Sequence, residues 1–257
     1  MPRFFIRQDQ IYGNGWVRIL GEDAHHISRS LRMAAGEHIT VCDMQGFSYD
    51  CRLEQFEDGC VTAQIVNVTK ADTEPPCHIH LFQALPKGDK LDTVIQKAVE
   101  CGASEITPFE SERCVVRIRA DGEEKKQQRR ERIAAEAAKQ CGRAILPVVH
   151  PSIVFGEVID AFAAFDVVLF CYEGDGTTPL GRVLSRIKEK FGKVDAVRVA
   201  VVIGSEGGFS LTEADAARRA GAHMVGLGKR ILRTETASGF VLACLAYETE
   251  LKEPSMI

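Results

Sequence analysis

Two short stretches carry the residue types that could do chemistry. The first is Gly204-Ser205-Glu206-Gly207-Gly208. The second is Gly226-Leu227-Gly228, followed at once by Arg230, Arg233, Thr234, Glu235 and Thr236. Glycines in such loops admit positive φ and let the backbone approach a ligand closely. Each loop ends an apolar run, Val199–Ile203 and roughly His223–Leu227, of the kind that forms a buried strand. Between them Ser210 and Glu213 form an S-x-x-E capping box, which starts a helix reaching Arg219 or Ala220 before Gly221. Two strands therefore deliver two glycine loops and a polar cluster to one sheet edge, where parallel α/β sheets bind ligands.

The familiar phosphate cradles are excluded. No GxxxxGK[ST] is present, and Ile231 stands where a dinucleotide fingerprint needs its third glycine. No GxSxG surrounds a strand end, so Ser205 lacks the context of a hydrolase nucleophile. What remains is a pocket built mostly of backbone, from Gly207, Gly208, Gly226 and Gly228, with Glu173, Glu206 and Glu235 nearby. Such a wall suits a purine or amino-acid-like ligand that carries a positive charge, and S-adenosylmethionine is one.

The rest of the chain must position these loops. Its 257 residues allow one large domain or two smaller ones, and 45% hydrophobic with 26% charged residues is ordinary for a globular protein. A net charge of −4 neither demands nor excludes nucleic acid, so local patches decide. No apolar run approaches the ~18 residues of a membrane span, and the opening MPRFFIRQDQ lacks a signal-peptide core. A cytoplasmic location is expected. The nine cysteines include no CxxC pair and read as small buried hydrophobes. His25-His26 and His78-x-His80 lack ligand spacing, so no metal is expected.

Residues 1–72 read as a small β-rich domain with strands at Arg3–Arg7, Trp16–Leu20, His38–Asp43, Tyr49–Gln55 and Cys60–Val68. Turns fall at Gln45-Gly46 and Asp58-Gly59, and one helix from about Asp23 to Met33 takes Asp23 as its N-cap. Thr73-Glu74-Pro75-Pro76 reads as a stiff linker opening a second domain, 73–257. Strands and helices alternate from there: strands at His78–Leu85, Glu105–Phe109 and Asp166–Tyr172, and helices at Lys90–Cys101, from Asp121 or Glu124 to Gly142, and at Leu180–Lys190. That rhythm predicts a mainly parallel sheet covered on both faces.

Basic residues cluster in two places. Arg3, Arg7, Arg18, Arg29 and Arg32 lie in the first domain, as a solvated surface or an RNA contact. Residues 113–143 hold ten Lys/Arg against five Asp/Glu. An amphipathic helix accounts for much of this excess but not for Arg113, Arg117 and Arg119, which precede it and could meet phosphates, with Arg143 at its far end.

The run from Ile203 to Ser210, with Leu227-Gly228-Lys229-Arg230-Ile231-Leu232-Arg233-Thr234-Glu235-Thr236-Ala237, resembles the signature of the ribosomal RNA small subunit methyltransferase E family, knotted enzymes of the SPOUT class. Pro2-Arg3-Phe4-Phe5, Ala84–Lys90, the Gln96–Gly102 stretch and the Glu131–Gln140 stretch extend the match over nearly the whole chain; Ser205 departs from it, where the family usually has proline. The resemblance implies an α/β protein with an N-terminal PUA-like β-barrel that binds RNA and a C-terminal SPOUT domain with a deep trefoil knot. It implies S-adenosylmethionine as cofactor, held by Phe170, Tyr172, Glu173, Ile203, Gly204, Glu206, Gly207, Gly208, Leu227, Gly228, Ile231, Leu232 and Thr234. It further implies a homodimer that methylates N3 of a uridine in 16S ribosomal RNA, with a ribose 2′-hydroxyl as the other acceptor used by knotted enzymes. Phe240, Val241, Cys244 and Leu245 are candidates for the dimer contact or for core. For this chemistry Arg233 is the candidate cation beside the developing imide anion, and Glu235 the candidate proton acceptor or organiser of Arg233. A pairing of Arg233 with Glu235 that only holds the fold is the competing possibility.

Overall fold

A computed structural model describes residues 1–119, 121–188 and 197–252. The chain divides into two compact units, Met1–Glu74 with Ala138–Leu146, and Pro75–Ala137 with Pro147–Ile257.

The first unit is a six-stranded sheet. Strands β1 (Arg3–Phe5), β2 (Ile11–Tyr12), β3 (Trp16–Leu20) and β4 (His38–Cys42) flank the long β5 (Phe47–Glu57) and β6 (Cys60–Lys70), in the order β1-β4-β5-β6-β3-β2. Alternation on β3 and β4 turns Val17, Ile19, Ile39 and Val41 inward, where Phe4, Leu53 and Val61 complete the core. The helix begins earlier than its sequence suggests: α1 (Gly21–His25) runs on as a π-helical turn to Ser30, with Leu20 as N-cap. Asp23 thus lies inside the helix rather than at its cap, and its carboxylate accepts from Lys139 Nζ at 2.9 Å. Glu74, in the stretch expected as a stiff linker, is pinned. It accepts from Arg143 Nη2 at 2.5 Å and from the Ala144 backbone N–H at 3.0 Å.

The second unit is an eight-stranded sheet whose pairings are all parallel. In chain order it contains β7 (Cys77–Ala84), α2 (Lys90–Glu100), β8 (Glu105–Glu110), α3 (Glu123–Cys141), β9 (Val148–Val149), β10 (Ile153–Val154), α4 (Phe155–Ala161), β11 (Val167–Cys171), β12 (Thr178–Pro179), α5 (Leu180–Lys188), β13 (Val197–Ile203), α6 (Leu211–Arg219), β14 (His223–Gly226) and α7 (Thr234–Ala246). The last two residues expected in α5, 189 and 190, lie outside the described residues. The sheet order is β10-β8-β7-β13-β11-β14-β12, with β9 also on β8. Strands β11 and β13 read as nearly continuous apolar runs because both their faces are covered. Neighbours β7 and β13 are far apart in the chain, and chain connections leave them in opposite directions across the sheet, which creates a crevice at their carboxyl ends. Helix α7 packs on α2 and buries Val241 and Leu245 completely, so these two are core rather than dimer surface; Phe240 stays 40% exposed.

Burial pushes the Cys51 thiol up to about 12 and the Cys77 thiol up to about 11, as small buried hydrophobes require. No helix among the described residues is long and apolar enough to cross a membrane.

On α3, Arg130 is almost fully buried and donates to Glu123 Oε1 at 2.8 Å. Burial raises the Glu123 carboxyl, but hydrogen bonds from Ser152 and Arg130 outweigh it and hold it below its ordinary 4.5. The unfolded chain therefore takes up this proton first, and the pair's contribution is present above pH 4.5 and lost as pH falls. Glu123→Gln should cost about 3 kcal/mol at pH 7, with Arg130 left uncompensated. In urea titrations the gap between variant and parent should narrow as pH falls below 4.5; a gap independent of pH would contradict the pairing.

Candidate active site

Three loops leave the carboxyl ends of neighbouring parallel strands and meet around a cavity of about 650 Å³. After β11 come Cys171–Gly174 and Thr177, after β13 Ile203–Phe209, and after β14 Gly226–Thr234. The middle loop is a tight turn: the Gly208 N–H donates to the Ser205 carbonyl at 2.9 Å, and Gly208 takes φ +62°. Serine at position 205 keeps this turn closed, and its own buried hydroxyl has no protein partner. Phe209, next in the chain, drives into the core against Phe170, ring centroids 4.2 Å apart, and so anchors the loop. The capping box then forms as its spacing requires. Ser210 Oγ accepts from the Glu213 N–H at 3.2 Å, and Glu213 Oε2 accepts from the Ser210 N–H at 2.9 Å.

Glycine is needed here for close approach. A Cβ on Gly226 would lie 2.8 Å from Thr177 Oγ1, and one on Gly207 would lie 3.0 Å from Arg113 Cβ. Both positions let backbone form the wall.

Of the expected cofactor residues, Tyr172, Glu173, Ile203, Gly204, Glu206, Gly207, Gly208, Leu227, Gly228, Ile231, Leu232 and Thr234 line this cavity. Phe170 does not. Its ring is fully buried beneath the wall, because an inward position on β11 serves the core. Arg233 lines the cavity, exposed, as the N-cap residue of α7. Glu235, in the first turn of α7, is not among the residues lining the cavity, and its Oε2 is buried without a hydrogen-bond partner. Among the described residues no ion pair joins Arg233 to Glu235; Glu235 Oε2 instead lies 4.0 Å from Lys90 Nζ.

Lys90 was not expected here. Its ammonium stands 2.5 Å from Glu206 Oε1 on the wall, so one cation lies between that carboxylate and Glu235. Burial raises the Glu206 carboxyl, but this hydrogen bond and backbone N–H groups outweigh it and keep it below the usual range. Arg113 is likewise drawn into the site, donating from Nη1 to the Gly207 carbonyl at 3.2 Å. The only sequence signal for Lys90 is its place in the Ala84–Lys90 stretch that carries the family resemblance.

The expected RNA contacts divide. Arg143 is 4% exposed and committed to Glu74, so it is a structural ion pair and not a surface cation. Arg3 donates to Cys42 Sγ at 3.0 Å and is half-buried. Arg7, Arg29, Arg32, Arg117 and Arg119 are exposed; Arg7 pairs with Asp9, Arg29 with Asp58 and Arg117 with Glu110.

A buried hydrogen-bond chain holds the site's floor. Thr234 Oγ1 donates to the Gly204 carbonyl at 2.6 Å and accepts from Gln83 Nε2 at 2.9 Å; that same amide donates to the Ala84 carbonyl at 2.9 Å.

A parallel sheet with glycine loops at its carboxyl ends, in a chain that also carries a small β-rich unit, defines an RNA-modifying methyltransferase class. Residues 73–246 match the RNA methyltransferase domain family, and residues 19–66 match the RNA methyltransferase PUA domain family. The chain is 34% identical to the ribosomal RNA small subunit methyltransferase E of Bacillus subtilis (strain 168), over 98% of each chain. It is 33% identical to the protein of the same name from Mesomycoplasma hyopneumoniae (strain 232), over 94% of this chain and 97% of that one. The crystal structure of a ribosomal RNA small subunit methyltransferase E from Neisseria gonorrhoeae bound to S-adenosyl methionine superposes with a TM-score of 0.80. Its identity is 31%, covering 96% of this chain and 97% of that one. The chain belongs to the ribosomal RNA small subunit methyltransferase E family.

Thr234→Val keeps the shape but takes the hydroxyl away from the Gly204 carbonyl and from a buried Gln83 N–H. It should lower stability by about 2 kcal/mol in urea titrations, while Thr234→Ser restores most of the loss. Equal stability of the valine variant and the parent would remove this chain from the account.

Proposed function

We propose that the protein is an S-adenosylmethionine-dependent methyltransferase that methylates N3 of a uridine in 16S ribosomal RNA of the small subunit. The observation that carries this reading is the convergence of three loops on one backbone-walled cavity with Arg233 exposed on its wall. The donor set fits the cofactor. Glycines 204, 207, 208, 226 and 228 leave amides and carbonyls for an adenosine. Lys90 with Glu206 offers both charge signs to an amino-acid end and its sulfonium. The bound cofactor supplies an activated methyl group.

The chain's own residues must then align the acceptor and handle one proton. N3 of uracil is on the pairing edge, so the base must be unpaired or flipped out to reach the cavity. Loss of the N3 proton places negative charge on N3 and the flanking carbonyl oxygens. Arg233, exposed and not tied to Glu235, is the cation for that charge. Glu235 Oε2, buried without a hydrogen-bond partner, is the candidate acceptor for the proton.

The reading includes RNA contacts from the small β-rich unit, from exposed Arg7, Arg29 and Arg32, and from Arg117 and Arg119. It also includes a trefoil knot in the three loops, a cytoplasmic location and a homodimer, with Phe240 an outward apolar group on α7.

The test supplies methyl-labelled S-adenosylmethionine and small subunits from cells lacking this protein, then locates the label in the digested nucleosides. Label in 3-methyluridine is the expected result, and label on a ribose overturns the acceptor. Arg233→Ala should reduce kcat about 10²–10³-fold while cofactor Kd changes less than about threefold. Parallel losses in both would assign Arg233 to cofactor binding instead.

A further inference from the structure

At the opposite, amino-terminal ends of the parallel strands lies a second cluster that methyl transfer does not use. His78 and His80 alternate on β7 and therefore face the same side of the sheet. The register sets His80 beside Glu105, the first residue of β8. On the other side of β8, the pairing of β9 brings up His150, whose backbone N–H donates to the Ile106 carbonyl at 2.8 Å. Three adjacent strands thus place three imidazoles around one carboxylate.

The geometry within the cluster is directed. His150 Nε2 hydrogen-bonds Glu105 Oε2, and His80 Nδ1 lies 3.7 Å from the same oxygen. His80 Nε2 is 2.7 Å from Thr107 Oγ1. An Nε2–H donated to that hydroxyl leaves the Nδ1 lone pair facing the carboxylate. His78 Nε2 is 3.2 Å from the other oxygen, Glu105 Oε1, and orients the group from behind. Phe82 stacks on His80 with centroids 4.1 Å apart, and Phe165 meets it edge-on, so the ring has one orientation. His80 is buried, whereas Glu105 and His150 are only part-buried and leave a path to solvent.

We propose that His80 Nδ1, Glu105 Oε2 and His150 Nε2 bind a first-row divalent cation, with zinc the best match to the donor set. The three donor atoms lie within 4.8 Å of one another. Ligand atoms around a tetrahedral zinc, with bonds of about 2.0–2.1 Å, stand about 3.3 Å apart, so modest side-chain adjustment closes the site. Two imidazoles and one carboxylate leave a fourth position for water. The hydrogen bond to Thr107 and the contact from His78 are the outer partners that fix imidazole tautomer and carboxylate direction in metal sites. Chain spacing predicts no metal because it sees only His78-x-His80; the other ligands arrive through sheet register, which spacing along the chain does not encode.

The ion would clip β7, β8 and the end of β9 together, far from the glycine loops in the strand direction. Its test therefore needs no methyl-transfer readout. The full chain, without a histidine tag and stripped with a chelator, is titrated with Zn²⁺ against a competing indicator and separately with Co²⁺. One Zn²⁺ per chain and intense visible Co²⁺ bands of a four-coordinate nitrogen–oxygen site are expected. Glu105→Gln and His150→Gln should each weaken Zn²⁺ binding at least about 100-fold. Thr107→Val, which keeps every ligand, should weaken it about tenfold or more. His25→Gln, on the other unit, should leave it unchanged. No stoichiometric Zn²⁺ binding by the parent, or affinity unaltered in Glu105→Gln and Thr107→Val, would overturn the proposal. The Co²⁺ spectrum of the parent decides the matter even where a ligand variant fails to fold.

Discussion

One threonine hydroxyl holds the catalytic end of the second unit together. Thr234 Oγ1 gives its proton to the carbonyl of Gly204 and receives one from Gln83, whose amide also reaches the Ala84 carbonyl. Those partners belong to the first turn of α7, the loop after β13 and the end of β7. Buried polar groups are costly alone, and a chain of them holds best when every member is present. The glycine loop therefore has a defined floor. Arg233, immediately before Thr234, is set at the cavity wall by the same contact that closes it.

Electrostatics is arranged around that floor in two grades. At the wall, Lys90 and Glu206 keep charged groups of both signs half-exposed and available to a ligand. Away from it, cations that look free along the chain are consumed by the fold. Arg130 goes to Glu123, Arg129 to Asp92, Lys139 to Asp23 and Arg143 to Glu74. Part of the basic excess of residues 113–143 is thus taken up by the fold, with Arg130 and Arg143 buried against their partners. Arg113, Arg117, Arg119, Arg129 and Arg132 stay exposed.

What was legible in the sequence is what depends on neighbours in the chain. The Ser210–Glu213 capping box, the apolar runs of β11 and β13, and the glycines of the two loops all follow from local spacing and backbone freedom. What was not legible depends on register and burial across the sheet. Phe170 belongs to the expected cofactor loop yet points into the core, and Arg143 reads as surface yet is buried against Glu74. Strands β9 and β10 are two residues each, too short to show any period. Asp23 resembles an N-cap, but Leu20 ends β3 so abruptly that α1 starts at once from Gly21, which takes φ +63°. Lys90 and Arg113 reach the cavity from parts of the chain that carry no glycine loop.

The link between Gln83 and Thr234 spans 151 residues of chain. It joins the first strand of the second unit to its last main helix, and β13 must already lie beside β7 before it can form. Contacts so distant are slow to find and yield nothing until the loop entropy between them has been overcome. During synthesis the early strands leave the exit tunnel long before α7 exists. The enzyme's cavity is consequently among the last features to be assembled, and a nascent chain with most of its sheet in place still has no site.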